Sequence, residues 1–328
     1  MFGMSLRDKA NFFRQLATLI ESGMPFMGCL EALAKSPSAK VRKVVNSITP
    51  LVRDGQSLSD ALAQFPGYFD TMVIMMVKAG EVGGQLEVRL KNIAAYLERM
   101  YNLQQQTLSK LIYPIVLIHA GIFIPPLVLI FTECIGAYLK ATLIPLAILY
   151  ATVFSLVFLY RTISSIPGIR EGVDAVFLYF PILGGFFRAR SVYRFMLVLA
   201  DLSEAGIDLD LSVKTAAGAC GNAMARSKFL TIAPCIQGGQ PFTACLKRTG
   251  MFPDMCLQMI HSGEQSGNLP FMLGKSAELL GQDLERTTNI VFTILPVVLY
   301  LVIAGYMGYR IITTFAKIYA PLNDLFPK

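Results

Sequence analysis

Two short stretches of this sequence set a glutamate between glycines, and its carboxylate could cap a helix or bind a partner. The residues are Gly80, Glu81 and Gly84 in the first half and Gly263, Glu264 and Gly267 in the second. Beside a helix N-terminus, a carboxylate is stabilised by the helix dipole and can accept hydrogen bonds from free backbone amides. The same groups could instead contact a partner protein, or hold a cation between the two glutamates. The residue types do not distinguish a turn that only caps a helix from a turn that binds a partner protein or a cation.

A histidine, His119, lies within a long apolar stretch, where an ionisable side chain is a candidate for function. Neither Asp, Glu, Lys nor Arg occurs in this stretch or in the two other long apolar stretches of the chain. A proton or ion relay would therefore lack charged partners. We expect a neutral histidine that is hydrogen-bonded for structural reasons.

The sequence contains six cysteines, and their spacing argues against a metal site. They are Cys29, Cys134, Cys220, Cys235, Cys245 and Cys256. None forms C-x-x-C, and only two histidines are present to complete a ligand set. Because four of the six fall in a region that we place in the reducing cytoplasm, we predict free, buried thiols. On apolar helical faces, Cys29 and Cys245 should behave as small hydrophobic residues.

No catalytic or nucleotide-binding motif is visible. The chain lacks G-x-x-x-x-G-K-[ST], H-E-x-x-H and G-x-S-x-G, so we predict no catalytic residue, no cofactor and no bound metal. The net charge is +7, but basic residues are scattered among acidic ones, which argues against nucleic-acid binding. With 54% hydrophobic and 16% charged residues, the composition is typical of a membrane protein in contact with a lipid bilayer.

The elements that must position these residues are helices, in two similar copies. Apolar residues recur at helical spacing in residues 12–20, and the pattern returns in residues 195–202. Gly23 and Gly206 then follow as helix stops, since glycine favours the position after a helix C-terminus. We predict an all-α integral membrane protein with two duplicated cytoplasmic bundles of about six helices each and three transmembrane helices.

Three stretches have the roughly 20 apolar residues that a membrane-spanning helix needs. The predicted order is a first repeat at 1–110, a span at 111–131, a short periplasmic loop at 132–141, a span at 142–160, a second repeat at 161–288, a span at 289–309 and a periplasmic tail at 310–328. Pro114 and Pro296 fall near matching places in the first and third spans. Each predicts a kink, because proline removes a backbone donor from the helix.

Charge near the spans indicates the orientation. Basic residues close to the spans are more numerous on the side of the two repeats, as is typical of cytoplasmic segments. The first residues carry charges and lack the apolar core of a cleavable signal peptide. We therefore expect the N terminus and both repeats in the cytoplasm and the C terminus in the periplasm.

An ordered set of motifs resembles the type II secretion system F family. The run from Phe13 to Pro25 resembles the opening of that family, the segments 80–86 and 263–269 resemble its second marker, and Phe180–Gly184 resembles a third. The resemblance covers essentially the whole chain, including the order of the repeats and the number of spans. Asp201 and Ser203 depart from the threonine-rich helix that is usual in the second copy, and Asp208 takes the place that Pro25 has in the first.

This resemblance implies a non-enzymatic platform protein in the bacterial inner membrane, serving a type IV pilus or a type II secretion machine. The implied partners are a hexameric cytoplasmic ATPase, pilin or pseudopilin subunits, other inner-membrane assembly proteins and further copies of the chain. The ATPase would move the cytoplasmic bundles, and the spans would help to lift subunits from the bilayer into a filament.

Other classes stay open from the residues alone. A small membrane transporter or channel subunit is the main alternative, because kinked spans partly fit such a protein. It should carry intramembrane charges around a midplane site, which these spans lack. A membrane enzyme would need a nucleophile with a base, or metal ligands at the right spacing, and neither stands out. A signalling receptor should bind its ligand on the far side, where only short segments exist.

Overall fold

The computed structural model describes residues 4–132, 134–163, 172, 174–176, 178 and 184–325. Within these ranges every regular element is helical and no strand occurs, in agreement with the predicted all-α class. The chain forms two compact units: Met1–Gln106 with Glu171–Thr287, and Thr107–Arg170 with Thr288–Lys328. Unit 1 therefore holds most of both repeats, and unit 2 holds the apolar stretches.

The first repeat is built from six helices. They are α1 (Leu6–Glu21), α2 (Phe26–Leu33), α3 (Ala39–Arg53), α4 (Leu58–Ala63), α5 (Thr71–Val82) and α6 (Leu86–Phe123). Phe12 and Phe13 on α1 are buried, and their ring centroids lie 6.1 and 5.7 Å from that of Phe69. These three rings form the aromatic centre of the core. Edge-to-face and tilted arrangements are favourable for aromatic pairs, and each buried ring removes a large apolar area from water.

Two helices follow the first repeat. A 3₁₀ turn (Pro125–Leu127) leads into α7 (Val128–Thr132), and α8 (Ile135–Ile163) comes next. Residues 135–141 of the predicted loop at 132–141 belong to α8, and the bounds of the loop stay a prediction. No proline interrupts this segment, and the Tyr138 amide donates a helical hydrogen bond of 3.3 Å to the Cys134 carbonyl.

From Gly184 onward, the described residues of the second repeat form seven helices. They are α9 (Gly184–Glu204), α10 (Leu209–Ala219), α11 (Ala223–Leu230), α12 (Ile232–Gln237), α13 (Phe242–Arg248), α14 (Asp254–Ser266) and α15 (Leu269–Leu325). The extra helix arises because α11 and α12, separated at Thr231, correspond to the single helix α3. The rings of Phe195 and Phe229 stack with centroids 4.2 Å apart, and Phe252 lies 5.8 Å from Phe195. The Phe180–Gly184 marker lies outside the described residues except for Gly184.

Glycine ends the first helix of both repeats in the same way. After α1 the chain adopts φ 79° at Gly23, and after α9 it adopts φ 76° at Gly206. The amide that follows each glycine donates back to the helix, Met24 to Leu19 at 3.3 Å and Ile207 to Leu202 at 3.1 Å. A left-handed residue is needed to direct this amide toward the last turn, which is why glycine occupies both positions.

The two repeats pack against each other inside unit 1. Helix α5 contacts α9 and α10. The Thr215 hydroxyl donates to Met75 Sδ at 3.0 Å, and Arg89 Nη2 donates to the carbonyl of Glu204, the last residue of α9, at 3.2 Å. Arg89 is only 8% exposed, so its guanidinium compensates the free carbonyls at a helix C-terminus from within the interface.

Three helical stretches are long and apolar enough to cross a membrane. They are Leu86–Phe131, Ile135–Leu159 and Leu269–Tyr306. Large apolar side chains in these stretches are exposed, including Phe131 at 89% and Phe154 at 73%, as lipid-facing residues are. Pro114 lies inside α6 and Pro296 inside α15, where the kinks stay predictions. The segment predicted as a tail continues helix α15 as far as Leu325.

Candidate functional site

The Glu81 carboxylate closes the first repeat by binding the start of another helix. Glu81 stands on the last turn of α5, and its Oε1 accepts a hydrogen bond of 2.6 Å from the Leu58 amide. Its Oε2 accepts from the Ser59 hydroxyl at 2.6 Å and from the Ser59 amide at 3.3 Å. Because these amides open helix α4, they have no partner within their own helix. The carboxylate therefore caps α4 from a distance of 22 or 23 residues along the chain.

The Glu264 carboxylate makes the same three bonds in the second repeat. Its Oε1 accepts from the Phe242 amide at 2.6 Å, and its Oε2 accepts from the Thr243 amide at 3.1 Å and the Thr243 hydroxyl at 2.8 Å. These groups open helix α13, the counterpart of α4. We call this arrangement, Glu81 with the start of α4 and Glu264 with the start of α13, the carboxylate clamp of each repeat.

Close helix packing explains the glycine that precedes each glutamate. A Cβ on Gly80 would lie 3.0 Å from Cα of Leu86 and 3.0 Å from Cγ of Arg89, both on α6. A Cβ on Gly263 would lie 2.6 Å from Cβ of Met272 on α15. Any larger residue would force the two helices apart, which costs stability in a packed interior. These glycines therefore set the helix spacing that the clamp requires.

The third residue of each motif reverses the chain between the two helices. Gly84 has φ 64° and Gly267 has φ 71°, a conformation that glycine adopts without a Cβ clash. In the first repeat the Gln85 amide then donates to the Gly80 carbonyl at 2.9 Å. The structure thus assembles all three residues of each motif into one turn, with its glutamate aimed at a neighbouring helix start.

Hydrogen bonding determines the charge state of Glu264. Burial by itself would raise the pKa of this carboxyl, but the bonds from Thr243 and Phe242 outweigh burial, so the pKa lies below its ordinary value. The charged form is the one that accepts three bonds at once. The second clamp is therefore an ionised carboxylate at neutral pH.

The two clamps differ in the residue that begins the capped helix. In the first repeat Ser57 is the N-cap, and its hydroxyl accepts from the Asp60 amide at 3.0 Å. In the second repeat the N-cap is Pro241, which has no side-chain acceptor. Among the residues that the structure describes, the side-chain cap of helix α13 comes from Glu264.

The structure assigns each clamp carboxylate to donors in its own repeat. The sequence raised the alternative of a cation between the two glutamates, yet both oxygens of each are already engaged by amide and hydroxyl donors. Across the part of the chain that the structure describes, no group of three or more His, Cys, Asp and Glu could hold a metal ion. A partner contact at these turns stays a prediction.

One expectation about the cysteines is wrong. Cys235 on α12 and Cys245 on α13 form a disulfide with their Cα atoms 5.8 Å apart, instead of two free thiols. The ten-residue separation brings them together because the turn at Gly239 folds α13 back beside α12. Cys29, Cys220 and Cys256 are free and buried, whereas Cys134 is free and exposed.

His119 lies in unit 2 and has two hydrogen-bond partners. Its Nδ1 is 2.8 Å from the Ile115 carbonyl, and its Nε2 is 2.9 Å from the Tyr150 hydroxyl. The carbonyl can only accept, so Nδ1 donates its proton to it. These two bonds join α6 to α8.

Sequence reasoning missed one buried acid. Asp201 on α9 is 8% exposed, and burial chiefly raises the pKa of its carboxyl to about 7, against the lowering effect of Arg99. Its Oδ2 has no hydrogen-bond partner among the described residues. The signal was its position, since it follows Val198 by three residues on the apolar face of α9.

The fold and the turns together define the class of this protein. It is an all-α integral membrane protein built on a duplicated helical domain, with the same carboxylate clamp in each copy. A family model described as "Type II secretion system (T2SS), protein F" matches residues 12–132 and again residues 195–315. The chain belongs to this family.

The relatives are named for two kinds of machine, the type II secretion system and the type IV pilus. The chain is 29% identical to the type II secretion system protein F of Vibrio cholerae serotype O1, over 98% of this chain and 84% of that protein. It is 28% identical to the type IV pilus assembly protein PilC of Myxococcus xanthus, over 97% and 81% respectively. It is 31% identical to the type II secretion system protein F of Aeromonas hydrophila, over 92% and 83%. Both groups of names are thus represented at similar identity.

Proposed function

We propose that this protein is an inner-membrane platform of a type IV pilus or type II secretion machine, and that it couples a hexameric cytoplasmic ATPase to the assembly of pilin or pseudopilin subunits. It acts as a structural component and catalyses no reaction itself. Further copies of the chain and other inner-membrane assembly proteins complete the platform. The observation that carries this proposal is the family match in both repeats, together with relatives named for each machine.

We propose that both repeats lie on the cytoplasmic side and that the C terminus is periplasmic. The basic residues near the spans support this orientation. The same sequence pattern gives the proposed boundaries. The repeats lie at residues 1–110 and 161–288, and the spans lie at 111–131, 142–160 and 289–309.

In this proposal, force passes from the repeats to the spans along two helices. Two helices, α6 and α15, contain residues of both units, so the chain passes between the units without leaving the helical conformation. A continuous helix resists stretching because each backbone amide is bonded to a carbonyl one turn away. A displacement of the repeats would therefore be carried along these helices to the residues that contact lipid and pilin.

The clamp turns serve this proposal as rigid joints. Each clamp fixes the end of one helix to the start of another, immediately before the helix that continues into unit 2. The surface beside the clamp is available to the ATPase, since Val82 is 84% exposed and Gln265 stands at the equivalent exposed position. We propose that the turns contribute this neighbouring surface to the partner, while Glu81 and Glu264 act internally.

Site-specific crosslinking tests the contact. A photo-crosslinking residue at Val82 or Gln265, in the full chain expressed in its own host, should capture the pilus or secretion ATPase. The matched control is the same residue at Phe131, which is 89% exposed but lies in a predicted span. It should capture no ATPase. Capture from neither repeat would argue against the contact.

Deletion tests the function itself. Cells lacking the chain should assemble no filament although the ATPase is present at its normal level, and the full chain supplied in trans should restore assembly. Filaments that persist in the deletion strain would contradict the proposal. Protease treatment of inverted inner-membrane vesicles should cut both repeats, whereas intact spheroplasts should protect both.

A further inference from the structure

The disulfide of the second repeat lies beside the carboxylate clamp of the same repeat. It joins Cys235 on α12 to Cys245 on α13 across a separation of 10 residues. The loop that it closes contains Phe242 and Thr243, whose amides donate to the Glu264 carboxylate. The bond and the clamp therefore hold the same helix start, the first covalently and the second through a carboxylate.

The first repeat has no such bond. Its Gly-Gln pair at 55–56 returns at 239–240. Leu51, four residues before this pair, and Ala61, five residues after it, therefore correspond to the two cysteines. Neither of these residues can form a disulfide. A redox change at the cysteines would thus act on one repeat and leave the other as an internal control.

The disulfide supports a helix that lacks one of the caps of its counterpart. Helix α4 is capped by the Ser57 hydroxyl as well as by Glu81, whereas the N-cap of α13 is Pro241, which has no side-chain acceptor. Because a disulfide restricts the conformations of the open chain, it stabilises the closed loop that leads into α13. Once the bond is reduced, the start of α13 depends on Glu264 more heavily than α4 depends on Glu81.

The two sulfurs differ in their access to solvent. Cys245 is 1% exposed, whereas Cys235 is partly exposed. The Cys235 Sγ lies 3.6 Å from Oε1 of Gln240 and 3.8 Å from Nη1 of Arg248, and both of these side chains belong to exposed residues. A nucleophile from solvent therefore reaches the Cys235 sulfur in preference to the Cys245 sulfur.

A guanidinium stands beside the accessible sulfur. Nη1 of Arg248 also donates to Oε1 of Gln240 at 3.1 Å, which holds the cation next to Cys235. A cation in this position favours the thiolate, the form of cysteine that reacts in thiol–disulfide exchange. Cys235 is therefore the sulfur of the pair that is better suited to leave as a thiolate.

The other cysteines are chemically separate from this pair. Cys29, Cys220 and Cys256 are buried, and burial raises the pKa of each thiol above its ordinary value, so these thiols stay protonated and hidden from solvent. Cys134 is free and exposed, but it belongs to unit 2. Redox chemistry in unit 1 is thus directed to the disulfide of the second repeat.

We propose that Cys235 and Cys245 form a redox switch, in which a cytoplasmic dithiol reduces the bond and thereby weakens the start of α13 and its clamp. A thiolate of the dithiol attacks Cys235 Sγ and forms a mixed disulfide, the bond between the protein sulfurs breaks, and Cys245 leaves and takes up a proton. The second sulfur of the dithiol then displaces Cys235, which leaves as a thiolate beside Arg248.

The exchange balances in electrons and protons. The dithiol gives up two electrons and two protons and becomes a disulfide. The protein sulfurs gain both electrons, Cys245 takes one proton, and the other proton passes to water while Cys235 remains a thiolate. Reoxidation by a disulfide reverses the same steps.

Only the supply of the dithiol rests on the proposed function, because a reducing thiol pool is a property of the cytoplasm, in which we place both repeats. The reactivity of the pair and its effect on α13 depend on the second repeat alone. The switch and the orientation can therefore fail separately.

Hydrogen exchange before and after reduction tests the effect on α13. The sample is the full chain in detergent micelles, with Cys134→Ser so that no bond forms between copies, and the probe is dithiothreitol without denaturant. Exchange of the Phe242 and Thr243 amides should accelerate at least tenfold on reduction and return to its first rate after treatment with oxidised glutathione. The Leu58 and Ser59 amides of the first repeat should change less than twofold.

Three results would overturn the proposal. The first is an exchange rate at α13 that changes less than twofold on reduction. The second is an equal acceleration in both repeats, which would show a general effect of the reductant. The third is a Cys235→Ser variant that still responds to dithiothreitol, because this variant should exchange at α13 as the reduced chain does under both conditions.

Alkylation rates identify the reactive sulfur. In the reduced chain, iodoacetamide should label Cys235 at least tenfold faster than the buried Cys245. Arg248→Gln should slow labelling of Cys235 at least threefold, because the thiolate loses its neighbouring cation. Lys247→Gln is the matched control, since Lys247 is the adjacent exposed cation of α13, and should change the rate less than twofold. Equal effects of the two variants would refute the role of Arg248.

Trapping of thiols in intact cells tests the supply of reductant. After acid quenching and alkylation, the pair should be reduced in untreated cells and oxidised in cells treated with diamide. A pair that stays oxidised in untreated cells, although protease cuts both repeats only in inverted vesicles, would overturn the switch. A pair that stays oxidised together with cleavage in intact spheroplasts would instead overturn the cytoplasmic orientation.

Discussion

Removing the Glu264 carboxylate should loosen the start of helix α13 more than the equivalent change loosens α4. Glu264→Ala deletes three hydrogen bonds, to Phe242 and to the amide and hydroxyl of Thr243. A side-chain cap at a helix N-terminus contributes about 0.5–2 kcal/mol, and bonds to a charged group lie toward the upper end. Water can reach part of this helix start and recover some of the loss. We therefore expect a local destabilisation of about 2 kcal/mol.

The first repeat supplies the internal comparison. Glu81→Ala removes the equivalent three bonds, but Ser57 still accepts from the Asp60 amide. Helix α4 then retains the Ser57 cap, whereas the N-cap of α13 is Pro241, which has no side-chain acceptor. The Glu264 variant should thus be more destabilised than the Glu81 variant by about 1 kcal/mol, the usual contribution of a serine N-cap.

Hydrogen exchange of the full chain in detergent micelles measures both effects locally. A loss of about 2 kcal/mol should accelerate exchange of the Phe242 and Thr243 amides about thirtyfold. Gln265→Ala is the matched control, because this neighbouring side chain is exposed and hydrogen-bonded to His261, so its removal should leave those amides unchanged. If Glu264→Ala exchanged within twofold of the wild-type rate at α13, the clamp would have no structural role.

The same clamp should respond to acid. Because the folded pKa of Glu264 lies below its ordinary value, its stabilisation is present above that value and is lost as pH falls through the folded pKa. The penalty of Glu264→Ala should therefore be full at pH 6 and shrink in acid. A penalty that grew on acidification would refute the assignment of an ionised carboxylate.

Three further predictions concern packing, redox state and the buried acid. Gly263→Ala should destabilise the chain by about 1–3 kcal/mol in thermal unfolding, because its Cβ would overlap α15, whereas Gly218→Ala on an open face of α10 should not destabilise. Alkylation of the unfolded, unreduced chain should label four of the six cysteines and reduction should expose the remaining two, Cys235 and Cys245; six labels without reductant would show that this bond is absent. A carboxyl whose folded pKa is raised loses stability as pH rises, so Asp201→Asn should stabilise the chain more at pH 8 than at pH 5, by about 2–3 kcal/mol, and a difference independent of pH would contradict the raised pKa.

Local patterns in the sequence were enough to predict the all-α class and the first helix and glycine stop of each repeat. The apolar spacing of residues 12–20 predicts α1, and Gly23 follows it at the left-handed position. These signals are readable because helix period and glycine conformation depend on a few neighbouring residues. The start of helix α8 at Ile135, within the predicted loop at 132–141, was not readable, because a sequence such as residues 135–141 is compatible with a helix and with a loop.

The clamps show what the sequence indicates and what it hides. The repeated glycine–glutamate spacing marks a turn, and helix capping was one interpretation of its carboxylate. The helix that each glutamate caps lies about 22 residues earlier in the chain, so its identity depends on how three helices pack. The disulfide was missed because the second repeat was assigned to the reducing cytoplasm, where free thiols are expected. Cys235 and Cys245 belong to different helices, and only the turn at Gly239 brings them together.

The buried acid arises from the packing of the two copies and not from the repeated module. Thr18 occupies in α1 the place that Asp201 has in α9, yet Thr18 is exposed and donates to the Arg14 carbonyl of its own helix. Asp201 instead faces α6 of the other repeat, where Arg99 lies 3.9 Å away. Duplication alone would have placed the same surface residue twice. Because the second copy packs its first helix against the first copy, one of the two equivalent positions becomes an interior site, and the carboxylate there is withdrawn from water while its counterpart Thr18 stays exposed.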